Sequence, residues 1–146
     1  MKIGVISDLH GKCDKKVFEM LKGVSLILSL GDIEDENIIY DLSNIAKVIS
    51  VRGNCDQSFS PALFPIEREI EIFNKKIFMS HILGLPDRKI DIYLYGHTHI
   101  AENRYENNVL YFNPGSTTNP RKGEKSIGIL EISDNDNNVR GLIVEI

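Results

Sequence analysis

The chain has 146 residues, 42% hydrophobic and 26% charged, a balance that suits one soluble globular domain with a core of its own. No apolar run approaches the ~20 residues that span a bilayer, and no charged-then-apolar leader opens the chain, so the expectation is a cytoplasmic protein without a membrane segment. A net charge of −4 disfavours nucleic-acid polymers and acidic membranes as partners, and two cysteines, Cys13 and Cys55, make no disulfide framework.

Lys2 to Ser7 is a near-continuous apolar run, the pattern of a strand covered on both faces. Asp14 can cap a helix through Leu21, with Val17, Phe18 and Leu21 on one side and Gly23 ending it. Val24 to Leu30 reads as a second strand, about 35 to 44 as a second helix facing inward through Ile38, Ile39 and Leu42, and Ala46 to Val51 as a third strand. That order calls for parallel strands with right-handed crossovers. After Asn54 the texture changes. Glu67 to Ile72 alternates charge with isoleucine, and Asn74-Lys75 turns the chain into Ile77 to Ser80 as a half-exposed hairpin. Asn107-Asn108 and Asp134 to Asn138 separate two further strand pairs, Asn103-Tyr105 with Val109-Phe112 and Ile127-Ile132 with Val139-Ile146. No repeat, linker or low-complexity tract intervenes, so residues 1–146 form a single domain. The expected architecture is α/β, two stacked mixed sheets flanked by helices.

All four histidines fall just past strand-like runs, where Asp and Asn also gather: Asp8-Leu9-His10, Gly31-Asp32, Gly53-Asn54, His81 and Gly96-His97-Thr98-His99. Strand carboxyl ends of an open α/β sheet converge on one crevice. A lone histidine at such a place is more often a surface residue, and Asp after Gly is a common turn residue. Their coincidence is what points to metal. Residues two apart on extended chain point the same way, about 6–7 Å apart, so Asp8 and His10 can grip one ion if the chain bends there. Glycines before Asp32, Asn54 and His97 permit a tight, sometimes positive-φ turn and close backbone approach. Asp32, alone after the central strand, is the candidate bridge between two ions ~3.5–4 Å apart. Ion one would take Asp8, His10, Asp32 and His99; ion two would take Asp32, Asn54, His81 and His97. Imidazole, carboxylate and amide oxygen suit Mn first, with Fe, Zn, Co and Ni as alternatives.

These ordered blocks resemble those of the calcineurin-like metallophosphoesterases. The chain length and Gly53-Asn54-Cys55-Asp56 are similar to the small YfcE-type phosphodiesterase branch, with the metallophosphoesterase-like subunit of retromer as a further relative. The resemblance extends to Asn113-Pro114-Gly115-Ser116, similar to a loop beside the family's site. It implies a four-layer αββα sandwich and a metal-dependent phosphodiesterase that hydrolyses small activated phosphodiesters by a hydroxide bridging two divalent ions. The alternative is a catalytically weak metal-binding scaffold for protein–protein interaction, though a scaffold under no catalytic demand is free to lose ligands and this chain keeps all seven.

Asp32 and Asn54 are the catalytic candidates, Asn54 both as ligand and as amide donor to a phosphate oxygen; Asp56 or a neighbouring acceptor would orient a ligand histidine. Asn54, Cys55 and Arg121 are the substrate-binding candidates. Arg121 competes with a reading as solvated loop, and Arg52 could meet phosphate or simply pack its stem. Many relatives carry His where Cys55 stands, and that His is assigned to protonate the leaving oxygen. A thiol is a poor general acid there, which favours activated leaving groups, unless Cys55 is only a small packing residue. Only Ile82 to Ile90 separates His81 from the next strand, too short for the family's crossover helix beyond one turn near Pro86. The expected consequences are a bare sheet face and a homodimer that covers it.

Overall fold

The computed structural model describes residues 1–135 and 137–146; residue 136, inside the connection expected as a turn from Asp134 to Asn138, lies outside the described residues. In chain order the elements are β1 (Lys2–Ile6), α1 (Lys15–Met20), β2 (Leu26–Ser29), α2 (Glu36–Ser43), β3 (Val48–Ser50), β4 (Glu67–Ile72), β5 (Lys75–Ser80), β6 (Ile92–Leu94), β7 (Glu102–Glu106), β8 (Val109–Asn113), β9 (Ser126–Ile132) and β10 (Val139–Glu145). They form two five-stranded sheets, ordered β10-β9-β1-β2-β3 and β4-β5-β6-β8-β7. Both are mixed: β1-β2-β3 and β5-β6-β8 run parallel, with antiparallel strands at their flanks.

Alternation sorts the side chains into layers. Ile3, Val5, Leu28, Ile77, Met79, Leu94, Phe112 and Leu130 meet between the sheets as the main core. On the first sheet's other face Ile27, Ile127 and Ile129 pack against Val17 of α1, its C-cap Leu21, and Ile38 and Leu42 of α2. Asp14 and Asp35 cap those helices by accepting from the backbone N–H of Lys16 and Asn37. No helix among the described residues is long and apolar enough to cross a membrane.

The second sheet departs from expectation on its outer side. The helical turn near Pro86 does not form, and no helix among the described residues covers this face. The face is nevertheless closed. Phe78, Tyr93, Tyr95 and Ile90 make a small buried cluster with Tyr111. A directed chain of hydrogen bonds anchors the connection to it: Gly84 N–H donates to the Tyr93 hydroxyl at 2.8 Å, that hydroxyl to Ser80 Oγ at 2.8 Å, and Ser80 to the Ile82 carbonyl at 2.8 Å. Aromatic rings and a pinned loop do the work of a helix, so the bare face from which a dimer was expected is absent; the exposed apolar side chains are instead Ile82, Leu83 and Leu85 on the loop itself.

Candidate metal centre

The carboxyl ends of β1, β2, β5 and β6, with the turn after β3, open on one crevice, and there the seven donor residues meet. His99 Nε2 lies 3.2 Å from Asp8 Oδ1 and 3.1 Å from His10 Nε2. His81 Nε2 lies 3.2 Å from Asp32 Oδ2 and 3.9 Å from Asp8 Oδ1. His97 Nδ1 and Asn54 Oδ1 are 3.1 Å apart. Donor atoms of Asp8, His10 and His99 form one compact group, those of Asp32, His81 and His97 another, and Asp32 also groups with His10 and Cys55.

Extended chain is not what aims them. Asp8, His10, Asp32, His97 and His99 all have positive φ, between 48° and 65°. In Asp8-Leu9-His10 the left-handed first and third residues send both side chains to the crevice while Leu9 is fully buried. His97-Thr98-His99 repeats the left-handed pair, with Thr98 between them exposed. Each such residue costs about 1–2 kcal/mol relative to the right-handed form, offset by backbone bonds that extend the β1-β2 pairing: Asp8 N–H to Gly31 O, His10 N–H to Asp32 O and Gly11 N–H to Ile33 O at 3.1, 3.0 and 2.8 Å. Of the three glycines, Gly31 does adopt positive φ, at 92°. Gly53 and Gly96 serve close approach instead: a Cβ at Gly53 would stand 2.1 Å from Asp32 Oδ1, and one at Gly96 would stand 2.0 Å from Ser7 Oγ.

Neighbouring groups fix both the ligands and their tautomers. His81 Nδ1 lies 2.7 Å from Leu30 O and His99 Nδ1 lies 2.6 Å from Asn119 O. A carbonyl only accepts, so each Nδ1 carries a proton and, in the neutral ring, Nε2 is a lone pair. His10 Nδ1 meets Glu34 Oε1 at 2.8 Å, which likewise frees its Nε2. Asp8 Oδ2 accepts from Ser7 Oγ at 2.6 Å and His97 N–H at 3.1 Å, leaving Oδ1 to face the imidazoles. Asp8 Oδ1 and His81 Nε2 are buried without a hydrogen-bond partner among the described residues. Lone pairs and carboxylate oxygens thus confront one another at 3.1–3.9 Å. That arrangement repels itself unless a cation lies among them, and mixed N/O donors are the chemistry borderline divalent metals select. The residues fit a metal.

The charge states follow the same logic. Burial pushes the Asp32 carboxyl up, but the facing His81 imidazole and the hydrogen bond from the Cys55 N–H outweigh it and hold the group at about 2. Burial pushes His81 down; the Asp32 and Asp8 carboxylates overcome that and raise it. The Cys55 thiol, desolvated and beside Asp32 and Glu34, is driven up to about 12. It stays protonated and is no proton donor at neutral pH.

Several neighbouring residues behave otherwise than the sequence suggests. Among the described residues Asp56 makes no hydrogen bond to a histidine. It is fully buried and takes four backbone N–H bonds, from Asp32 (2.7 Å), Ile33 (2.9 Å), Glu34 (2.8 Å) and Gly53 (2.8 Å), tying the turns after β2 and β3 together. Glu34, unsuspected because no spacing rule marks it, orients His10. Asn113 bonds the Gly96 carbonyl at 3.0 Å, and Ser116 bonds the Asp8 carbonyl at 2.7 Å, so the Asn113–Ser116 loop buttresses the two ligand turns. Arg121 is exposed and beside His99, whose carbonyl accepts its backbone N–H at 3.1 Å.

Residues 1–135 match the profile of the calcineurin-like phosphoesterase superfamily domain. Among proteins with similar sequences, the probable metallophosphoesterase MJ0623 of Methanocaldococcus jannaschii is 34% identical over 92% of this chain and 77% of its own length. Phosphodiesterase YfcE of Escherichia coli is 31% identical over 93% of this chain and 89% of its own. The solved structure of YfcE superposes with a TM-score of 0.78 at 26% identity, covering 97% of this chain and 98% of that one. Vps29 of Entamoeba histolytica reaches a TM-score of 0.75 at 24% identity, covering 100% and 99%, a likeness of fold alone.

Proposed function

Since the chain belongs to the calcineurin-like phosphoesterase superfamily, we propose that it is a metal-dependent phosphodiesterase of small phosphodiesters working with two divalent ions, Mn first. The observation that carries the reading is the confrontation of unpartnered Asp8 Oδ1 and His81 Nε2 with further acceptors in a buried pocket. Asp8, His10, Asp32 and His99 would hold one ion, and Asp32, Asn54, His81 and His97 the other. The grouping of Asp32 with His10 on one side and with His81 and His97 on the other supports its role as the shared ligand. Bound there, such ions acidify water for in-line attack and offset charge on the phosphoryl oxygens.

The chain's own groups do the rest. Asn54 turns its Oδ1 toward His97; its amide nitrogen donates one N–H to Cys55 Sγ at 3.5 Å and has a second for a phosphoryl oxygen. The Cys55 N–H, 2.8 Å from Asp32 Oδ1, fixes the orientation of that carboxylate, while the Cys55 thiol, grouped with His10 and Asp32, would meet substrate without donating a proton. The leaving group therefore departs unprotonated by the protein, which favours activated esters. Arg121, whose backbone N–H meets the His99 carbonyl, would contact an outer phosphate oxygen. Covalent catalysis has no support: Ser116, beside the pocket, gives its proton to the Asp8 carbonyl. The test is metal analysis of purified protein, then hydrolysis of bis(p-nitrophenyl) phosphate against p-nitrophenyl phosphate with Mn. Diester turnover lost in Asp32→Ala and His97→Ala is expected; turnover that survives both refutes the assignment.

A further inference from the structure

Two cavities flank the donor cluster, and they differ in character. One, of about 480 Å³, is lined by His10, Lys12, Thr117 and Lys125 with other polar groups. The other, of about 580 Å³, shares Asn54 and His81 with the cluster and is walled by Ile66, Ile82 and Leu83, with Arg52, Gln57 and the exposed Glu67 beside them. Ile66, Ile82 and Leu83 are 62%, 55% and 40% exposed, so the apolar wall is offered to solvent. It is also preformed, because the Tyr93–Ser80 hydrogen-bond chain pins residues 82–84. Arg52 is half-buried, and its guanidinium has no hydrogen-bond or ion-pair partner among the described residues.

We propose that this second cavity is the seat of one flat, apolar ester arm of the substrate, aryl or nucleobase, packed on Ile66, Ile82 and Leu83, with Arg52 at the mouth contacting the phosphoryl group. The inference rests on the phosphodiesterase reading and specifies its substrate. A diester whose phosphorus sits at Asn54 and His81 extends a substituent directly into the adjoining cavity, whose volume lies within the small-ligand range of ~300–1,000 Å³. Apolar walls reward a ring there, and a polar arm is better accommodated on the Lys12 and Lys125 side. The unpaired guanidinium supplies a charge-assisted bond to the anion common to every diester. Substitutions should therefore separate cleanly: wall residues read the ring, Arg52 reads the phosphate.

Diphenyl phosphate and dimethyl phosphate test this as competitive inhibitors of bis(p-nitrophenyl) phosphate hydrolysis, and as ligands followed by the methyl resonances of Ile66, Ile82 and Leu83. Burying roughly 60 Å² of ring at about 25 cal/mol per Å² corresponds to about tenfold tighter binding of the diphenyl ester. Ile82→Ser combined with Leu83→Ser should remove that preference and leave dimethyl phosphate unchanged. Tyr93→Phe should raise KM for the aryl diester more than it lowers kcat. Arg52→Gln should weaken both inhibitors by the same factor. A thymidine 5′-(p-nitrophenyl) ester, compared with the bis-aryl ester, distinguishes nucleobase from aryl as the seated ring. An unaltered preference in the Ile82/Leu83 variant overturns the proposal. So do methyl shifts that follow protein concentration rather than ligand, which would assign the wall to a second copy of the chain. Absence of any diester turnover in the wild type would instead defeat the enzymatic reading, while the methyl shifts would still report whether the ring is bound.

Discussion

Asp56→Asn should cost this protein far more stability than any surface substitution, although it changes one atom. The Asp56 carboxylate is fully buried, and its two oxygens divide four backbone donors: Oδ1 takes Ile33 and Glu34, Oδ2 takes Asp32 and Gly53. Asparagine can accept only through its single oxygen. Whichever way the amide is turned, its NH₂ faces two N–H groups, which lose their acceptor and meet a donor. At about 1–3 kcal/mol for each buried donor left unsatisfied, the loss is about 2–6 kcal/mol, a large part of a domain's total of roughly 5–15. Urea unfolding with chelator present isolates the effect from metal binding. With m near roughly 2 kcal/mol per M, the midpoint should fall by about 1–3 M at unchanged m. A shift below roughly 0.3 M would show that the two turns are held by something other than this carboxylate. The same variant should bind metal more weakly, because Asp32 rides on the turn that Asp56 anchors.

Gly96→Ala puts a Cβ 2.0 Å from Ser7 Oγ and 2.9 Å from Asp8 Oδ2, so about 1–3 kcal/mol of stability should go, with a fall in metal stoichiometry seen by elemental analysis. In acid, Asp32 contributes through a carboxyl held at about 2 against an ordinary 3.8; the stabilisation is complete above pH 4 and disappears as pH falls toward 2, and Asp32→Asn should flatten that limb in chelator-treated protein followed by circular dichroism. At the alkaline end, burial and then Asp14 and Asp41 push the Cys13 thiol from 9.0 to about 11, so its contribution holds below pH 9 and is lost between 9 and 11; Cys13→Ala should remove that slope from urea titrations at stepped pH. Cys55→His should extend hydrolysis from p-nitrophenyl to alkyl leaving groups, measured as a smaller ratio of the two kcat/KM values; an unchanged ratio would count against Cys55 occupying an acid's position.

Much of the architecture is legible because local and global preferences agree. Asp14 and Asp35 announce their helices, and Asn107-Asn108, both at positive φ, announces the β7-β8 hairpin. The β4-β5 turn is read one residue late. Its left-handed pair is Phe73-Asn74, and nothing in a phenylalanine advertises that conformation. The donor residues are legible for chemical reasons, since few side chains offer N and O ligands. Their left-handed backbone is not, because it is imposed by pairing between chain segments far apart in sequence. For the same reason Asp56 is misread: its partners are main-chain groups, which leave no mark in the residue pattern. The closure of the second sheet by Tyr93, Tyr95 and a pinned loop is likewise a tertiary solution.

The span of the ligand contacts has a bearing on how the protein is made. Asp8 meets His97 and His99 across 89 and 91 positions, and Ser116 braces Asp8 across 108. During synthesis at about 5–20 residues per second, the amino-terminal ligands wait for seconds, exposed and incomplete, before the distal half emerges. A nascent chain stalled before His97 lacks one proposed ligand of each ion and should hold metal more weakly than the full chain. With the proposed ligand set, metal capture would therefore be a final event that certifies a finished fold, unlike the local knuckles of small zinc modules, which can close on their ion as they leave the ribosome.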